Sequence, residues 1–230
     1  MNEVYKSSGK KYNGEKAIIS LTSWKARINN VSKTLFSLIQ HCPGFHIVLV
    51  LSEEEFPKKE TELPENLMMF VNNDLIEILW VYKNYKSFKK IIFTMQKYKT
   101  VPIITADDDM FYAHNYAEEL YDIWFKNKNQ IVGNRIHEKL GLQIFSGGCG
   151  VIYPPNCFGD LGIKFLSWFN MSSSHDDLLY AIISKRNGIK AVSRNDNKCL
   201  DYQQKIGESL WEQKAYNDEK QVNEYSSFFK

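Results

Sequence analysis

The chain has 230 residues, 43% hydrophobic and 24% charged, which is enough apolar material for a sizeable core and a length that suits one domain or at most two small ones. Its 29 lysines and arginines nearly balance 27 acids, for a net charge of +2, so no global positive field marks nucleic acid as the partner. No apolar run is long enough to span a bilayer, and residues 1–16 are polar and lysine-bearing without the apolar core of a secretory signal, so a cytoplasmic protein is expected.

Residues 17–21 (AIISL), 45–51 (FHIVLVL), 76–81 (IEILWV) and 101–105 (VPIIT) have strand length and β-branched content. Between the first two, Val31, Leu35, Leu38 and Ile39 recur at helical spacing, and Phe88, Ile91, Ile92 and Met95 do so ahead of the fourth. Strands alternating with helices predict an α/β domain, a mainly parallel sheet flanked by helices. A helix follows near 116–125, short strands near 131–133 and 150–153, a helix over about 176–185 and a strand at 190–192. Residues 201–230 are polar with spaced aromatics (Trp211, Tyr216, Tyr225, Phe228, Phe229) and are expected to form an appended helix or a mobile tail. The expected division is therefore 1–200 as one domain and 201–230 as a C-terminal extension. Cys42, Cys149, Cys157 and Cys199 are scattered, lack a C-x-x-C pair and read as reduced thiols, with no paired spacing for structural zinc.

Four local features can carry chemistry. Thr105-Ala106-Asp107-Asp108-Asp109 places three carboxylates directly after an apolar strand, where open α/β sheets bind ligands. Three adjacent anions repel one another, and a divalent cation would offset them; the plain alternative is a solvated turn. Between Ile78 and Ala106 no acid occurs, while Lys83, Lys86, Lys89, Lys90, Lys97 and Lys99 all fall there. Most of these suit a solvated helix face, but Lys89 and Lys90, in Ser87-Phe88-Lys89-Lys90, are candidates to hold a diphosphate opposite the carboxylates. Ser146-Gly147-Gly148-Cys149-Gly150 permits close backbone approach and is not a P-loop, since the following lysine and hydroxyl are missing. Ser174-His175-Asp176-Asp177-Leu178 opens a helix: the acids either cap it or supply a general base, and His175 reads as a capping or surface residue.

Taken in order, Ile19-Ser20-Leu21-Thr22-Ser23 with Arg27, Ser87-Phe88-Lys89-Lys90, Thr105-Ala106-Asp107-Asp108-Asp109, Gly147-Gly148-Cys149-Gly150-Val151-Ile152-Tyr153-Pro154-Pro155 and Asp176-Asp177-Leu178 resemble bacterial glycosyltransferases of the GT-A fold, more narrowly those of polysaccharide synthesis. The likeness runs from about Ala17 to Val192. It implies a single GT-A-like, Rossmann-like domain and a nucleotide-sugar donor, a UDP-sugar foremost, held through Mn2+ or Mg2+ by a D-x-D motif, matched by Asp107 and Asp109. It also implies that Thr22, Ser23 and Arg27 line the nucleotide pocket, with Lys89, Lys90, Asp107, Asp108, Gly147 and Gly148 completing the donor site, and that Asp177 or Asp176 is the base of an inverting transfer. The implied acceptor is a saccharide or a lipid-linked one, which would permit a peripheral membrane contact through the aromatic tail. This chain departs from such relatives in Trp24-Lys25-Ala26 and in Cys149 within the glycine loop.

Two other classes compete. Acids after a strand with Mg2+ also serve phosphoryl transfer, as in a metal-dependent phosphohydrolase or nucleotidyltransferase. A non-catalytic sugar- or nucleotide-binding module would keep the fold without turnover, and the 14% aromatic content would suit carbohydrate stacking, though cores use aromatics too.

Overall fold

The computed structural model describes residues 6–160, 164, 175–194, 200–203 and 218–228. Four strands, β2 (Ile18–Thr22), β3 (His46–Ser52), β4 (Glu77–Val81) and β5 (Ile103–Thr105), pair in parallel in the order β4-β3-β2-β5. Between them run α1 (Val31–His41), α2 (Glu65–Asn72) and α3 (Lys89–Lys97). β3 is buried at all seven positions, as expected of a strand covered on both faces.

The sheet's period of two divides its side chains between two cores. Ile19, Leu21, Leu49, Leu51, Ile78, Trp80 and Ile104 face α1 and α2. Ile18, Val48, Val50, Leu79, Val81 and Ile103 face α3. α1 contributes Val31, Leu35 and Leu38, the same positions that the helical spacing singles out.

Downstream, α4 (Tyr116–Lys126) leads to β7 (Gln130–Gly133), then a hairpin of β8 (Ile136–Lys139) and β9 (Leu142–Phe145), then β10 (Val151–Tyr153), α5 (Asp176–Arg186) and β11 (Lys190–Ser193). The eight-stranded sheet has the order β1-β4-β3-β2-β5-β10-β7-β11. It is parallel except where β10 runs antiparallel to β5 and β7, and where β1 (Lys6–Gly9) pairs antiparallel with β4.

Several elements have no signal in the hydropathy pattern. β1 is polar and partly exposed at the sheet's edge. α2 buries only Leu67 and Val71. β6 (Met110–Tyr112) follows the acid triplet and pairs with β12 (Leu200–Gln203), so the chain on either side of residue 200 is one ladder. Beyond it, α6 (Asp218–Phe228) packs on α5. Trp211, Tyr216 and Phe229 lie outside the described residues. Tyr225 is 3% exposed and faces the core rather than any membrane, and no described helix is long and apolar enough to cross one. Cys42, Cys149 and Cys157 form no disulfide among the described residues, and burial pushes the Cys42 thiol up to about 12, an unreactive state. Cys199 lies outside the described residues.

Candidate active site

After β2 the chain moves to β3 and β4 on one side, then crosses to β5 on the other. The loops leaving β2 and β5 therefore diverge and open a crevice at the carboxyl ends of the strands. Both loops carry polar side chains into it. Ser23 Oγ donates to Asp108 Oδ2 at 2.6 Å. Arg27 Nη1 donates to Asp108 Oδ1 at 3.0 Å and to Asp109 Oδ2 at 3.1 Å. Thr34 Oγ1, on α1, donates to the Asp108 carbonyl at 3.0 Å. Asp108 is thus the buried strut of the triplet rather than a solvated turn residue.

Asp107 points the other way. Its Oδ1 accepts from Lys90 Nζ at 2.7 Å, and the same ammonium lies 3.5 Å from Asp176 Oδ2. Lys90 thereby joins the strand-end triplet to the acid pair that opens α5. Asp177 Oδ2 accepts from the Gly147 amide at 3.3 Å. The glycine loop is seated between the two groups of acids: a Cβ on Gly147 would stand 2.8 Å from Asp177 Oδ1, and one on Gly148 would stand 2.4 Å from Asp107 Oδ2. A side chain at either position would have to push an aspartate carboxylate aside.

The electrostatics of the two acid groups differ from those of surface carboxylates. Burial, and then the charge of Asp176, push the Asp177 carboxyl well above the usual carboxylate range, against the pull of Lys90. Asp177 nonetheless keeps a partly exposed side chain. Burial also raises Asp108, although Ser23 and Arg27 oppose it. Burial by itself would discharge Lys90, but Asp107, Asp176 and Asp177 outweigh it and raise its pKa.

The structure separates the two neighbouring lysines. Adjacent residues on a helix point about 100° apart, and Lys89 turns from the acid pair toward the loops after β2, β3 and β4. Its Nζ reaches the Ser23 carbonyl at 3.4 Å, Glu55 Oε2 at 3.2 Å and Asn84 Oδ1 at 2.9 Å, and the side chain is 1% exposed. Lys89 ties three strand-end loops together. Thr22 turns its hydroxyl onto the Val50 carbonyl of β3 at 2.7 Å. His175 is not at the surface: it is buried at the N-cap of α5 and makes no side-chain capping bond. Arg27, Ser23, Asp107, Asp108, Asp109, Lys90, Gly147, Gly148, Asp176 and Asp177 do converge.

Several supporting residues escape sequence reasoning. Tyr112 OH accepts from the Asp107 amide at 2.7 Å and donates to the Gly148 carbonyl at 2.9 Å, joining triplet to loop. Thr105 Oγ1 donates to the Gly147 carbonyl at 2.9 Å and accepts from the Val151 amide at 3.1 Å. Asn134 Nδ2 donates to the Cys149 carbonyl at 2.8 Å. Thr105 stands within the strand-end motif and Tyr112 three residues beyond it, but neither position names its partner, and Asn134 carries no sequence signal.

The donor set suits a hard divalent cation. Among the described residues, Arg27 pairs with Asp108 and Asp109 and Lys90 with Asp107 and Asp176, while Lys89 is engaged by Glu55 and Asn84. Among the described residues no three His, Cys, Asp or Glu side chains form a metal cage. Mg2+ in nucleotide sites does not need one, because one or two carboxylates suffice when phosphates and water complete the shell.

No protein-family model matches the chain, and no curated protein matches it by sequence. Solved structures do share its architecture. Residues 1–349 of S. aureus TarS in complex with UDP-GlcNAc align with a TM-score of 0.58 at 13% identity, over 91% of this chain and 64% of that one. The mannosyltransferase PcManGT from Pyrobaculum calidifontis, in complex with GDP-Man and Mn2+, aligns at 0.55 and 9%, over 86% of this chain and 60% of that one. A 4-diphosphocytidyl-2C-methyl-D-erythritol synthase aligns at 0.50 and 9%, over 86% of this chain and 96% of that one. The chain therefore spans less than two thirds of the first two. At such identities the likeness speaks for the fold, and together with the strand order it gives this chain a single GT-A, Rossmann-like domain.

Proposed function

We propose that the protein is a glycosyltransferase that moves a sugar from a nucleoside-diphosphate donor, in our reading a UDP-sugar, to a saccharide or lipid-linked acceptor in cytoplasmic assembly of a surface polysaccharide. The observation that carries this reading is the acid pair of α5 facing the strand-end triplet across a glycine loop, with Lys90 between them. TarS with UDP-GlcNAc and PcManGT with GDP-Man and Mn2+ support the donor class through shared fold.

In this reading Asp107 and Asp109 would hold Mn2+ or Mg2+, which would supply positive charge against the charge that grows on the departing diphosphate. Ser23 and Arg27 line the nucleotide side, and Arg27 keeps Asp108 and Asp109 aligned. Lys90 adds fixed positive charge beside the donor without any proton changing hands. Asp177 takes the proton of the acceptor hydroxyl, whose own pKa is far above neutral, as it attacks the sugar carbon. A base standing across the glycine loop from the metal side suits attack opposite the leaving group, hence inversion.

The test is incubation with Mn2+ and a panel of nucleotide sugars and acceptors, reading released nucleoside diphosphate. Asp109→Asn should abolish turnover and weaken nucleotide binding in Mn2+ with the fold intact. Equal diphosphate affinity with and without metal by calorimetry would overturn the metal assignment. A nucleotidyltransferase is the second reading, favoured by one observation: the chain covers 96% of the diphosphocytidyl synthase. Pyrophosphate release from a nucleoside triphosphate, with no nucleotide sugar consumed, would select it.

A further inference from the structure

The helix that opens with Asp176 and Asp177 is buried nearly all round: Leu178, Leu179, Tyr180, Ala181, Ile182, Ile183 and Ser184 are consecutive buried residues. A surface helix would bury one stripe only. The sheet side and β9 cover part of α5, and α6 supplies further cover, with Tyr225 and Val222 packed into the same core.

Tyr225 does more than fill space. Its hydroxyl donates to the His175 carbonyl at 3.2 Å. That carbonyl also accepts the first helical bond of α5, from the Leu179 amide at 3.3 Å, so Tyr225 grips the turn that carries both acids. Among the described contacts, three ties hold this turn. Lys90 holds Asp176 and the Gly147 amide holds Asp177, both from within the site. The third comes from a helix far along the chain and outside the stretch of glycosyltransferase resemblance. His175 itself makes no side-chain capping bond to the helix.

We propose that Tyr225 is a positioning residue, and that the C-terminal helix sets the place of the Asp176–Asp177 pair, and so the transfer rate, through the Tyr225 hydroxyl on the His175 carbonyl. The rate part of this inference rests on the glycosyltransferase reading; the positioning part does not. Two adjacent carboxylates, Asp176 buried and Asp177 partly exposed, repel each other, so the turn bearing them has reason to shift once a tie is released, and a displacement of about 1 Å at a reacting group can lower a rate by up to about 100-fold.

The experiment uses the full chain with Tyr225→Phe, which removes the hydroxyl and keeps the ring, beside Ser226→Ala on the exposed side of the same helix as control. The expected result is a fall in kcat of about tenfold with donor KM unchanged, and amide hydrogen exchange about tenfold faster confined to the first turns of α5. Ser226→Ala should match the wild type in both. Wild-type kcat and wild-type exchange in Tyr225→Phe would overturn the proposal. So would a uniform rise in exchange across the chain, or a parallel loss of kcat and donor affinity, which marks a merely structural role. If the wild-type protein transfers no sugar, the functional reading fails and the exchange contrast alone decides whether Tyr225 positions the acid pair.

Discussion

At the amino end of the sheet, Glu77 is 1% exposed and its charge is fully answered. His46 Nε2 donates to Glu77 Oε2 at 2.7 Å, and Lys97 Nζ and Tyr98 OH make short hydrogen bonds to the same carboxylate. Burial would raise this carboxyl, but the bonds from His46, Lys97 and Tyr98 hold it below its ordinary value. At the carboxyl end, among the described residues, Arg27 pairs with Asp108 and Asp109 and Lys90 with Asp107 and Asp176, and Asp177 is pushed the opposite way. Both clusters are polar and largely buried, yet one holds its carboxylate below the ordinary range and the other pushes one above it. A closed network contributes structure. A carboxyl pushed toward its neutral form beside a crevice has a cost in stability that a ligand or a proton can relieve.

Breaking the open cluster should have the largest effect. Asp177→Asn keeps size and can keep the bond from Gly147, so donor affinity should survive while the transfer rate falls by about 10²–10⁴. If Asp177→Asn and Asp176→Asn both retain near-normal turnover, or NMR shows that the product keeps the donor's anomeric configuration, the base assignment is wrong. Breaking the closed cluster should act on the fold instead. Glu77→Ala leaves His46, Lys97 and Tyr98 without their shared acceptor and should cost about 3–5 kcal/mol in urea unfolding, while turnover per folded molecule stays at the wild-type level. A drop in kcat at full folding would mean that the two ends are coupled.

A milder probe is Gly148→Ala. The added Cβ would lie 2.4 Å from Asp107 Oδ2, so Asp107 must give way. The expected readout is roughly tenfold weaker Mn2+-dependent nucleotide binding by calorimetry, with metal-independent binding little changed; equal affinity in both forms would separate the glycine loop from the donor site.

The smallest effect is in stability against pH, where the two clusters have opposite signs. Glu77, with its folded pKa lowered, contributes stability present above the unfolded carboxylate value and lost as pH falls through the folded one. Asp177, with its folded pKa raised, erodes stability as pH climbs from the unfolded value through the folded one. Asp177→Asn should therefore melt higher than the wild type near neutral pH, and the difference should vanish below the ordinary carboxylate range. A variant that melts lower at neutral pH would show that the charge of Asp177 is stabilising after all. By the same sign, the acid limb of the transfer rate should lie above the usual carboxylate range.

Much of this molecule is legible in its residues. The short apolar, β-branched runs at 17–21 and 45–51 and the helical spacing of Val31, Leu35 and Leu38 mark β2, β3 and α1, because burial of one or both faces writes itself into local hydropathy. The acids after β5 and at the start of α5 are likewise visible, as is their affinity for positive charge. The partners of those acids are not. Lys89 and Lys90 are neighbours in the chain, yet one ties the loops at Ser23, Glu55 and Asn84 and the other bridges Asp107 to Asp176. Tyr225 on the His175 carbonyl, β12 on β6 and the seating of Gly147 and Gly148 between two carboxylates belong to the same category. Local pattern records whether a side chain is buried, not against what; the strand order, the reversal of β10 and the docking of α6 choose the neighbours, and only the folded chain brings distant charges within a few ångströms of each other.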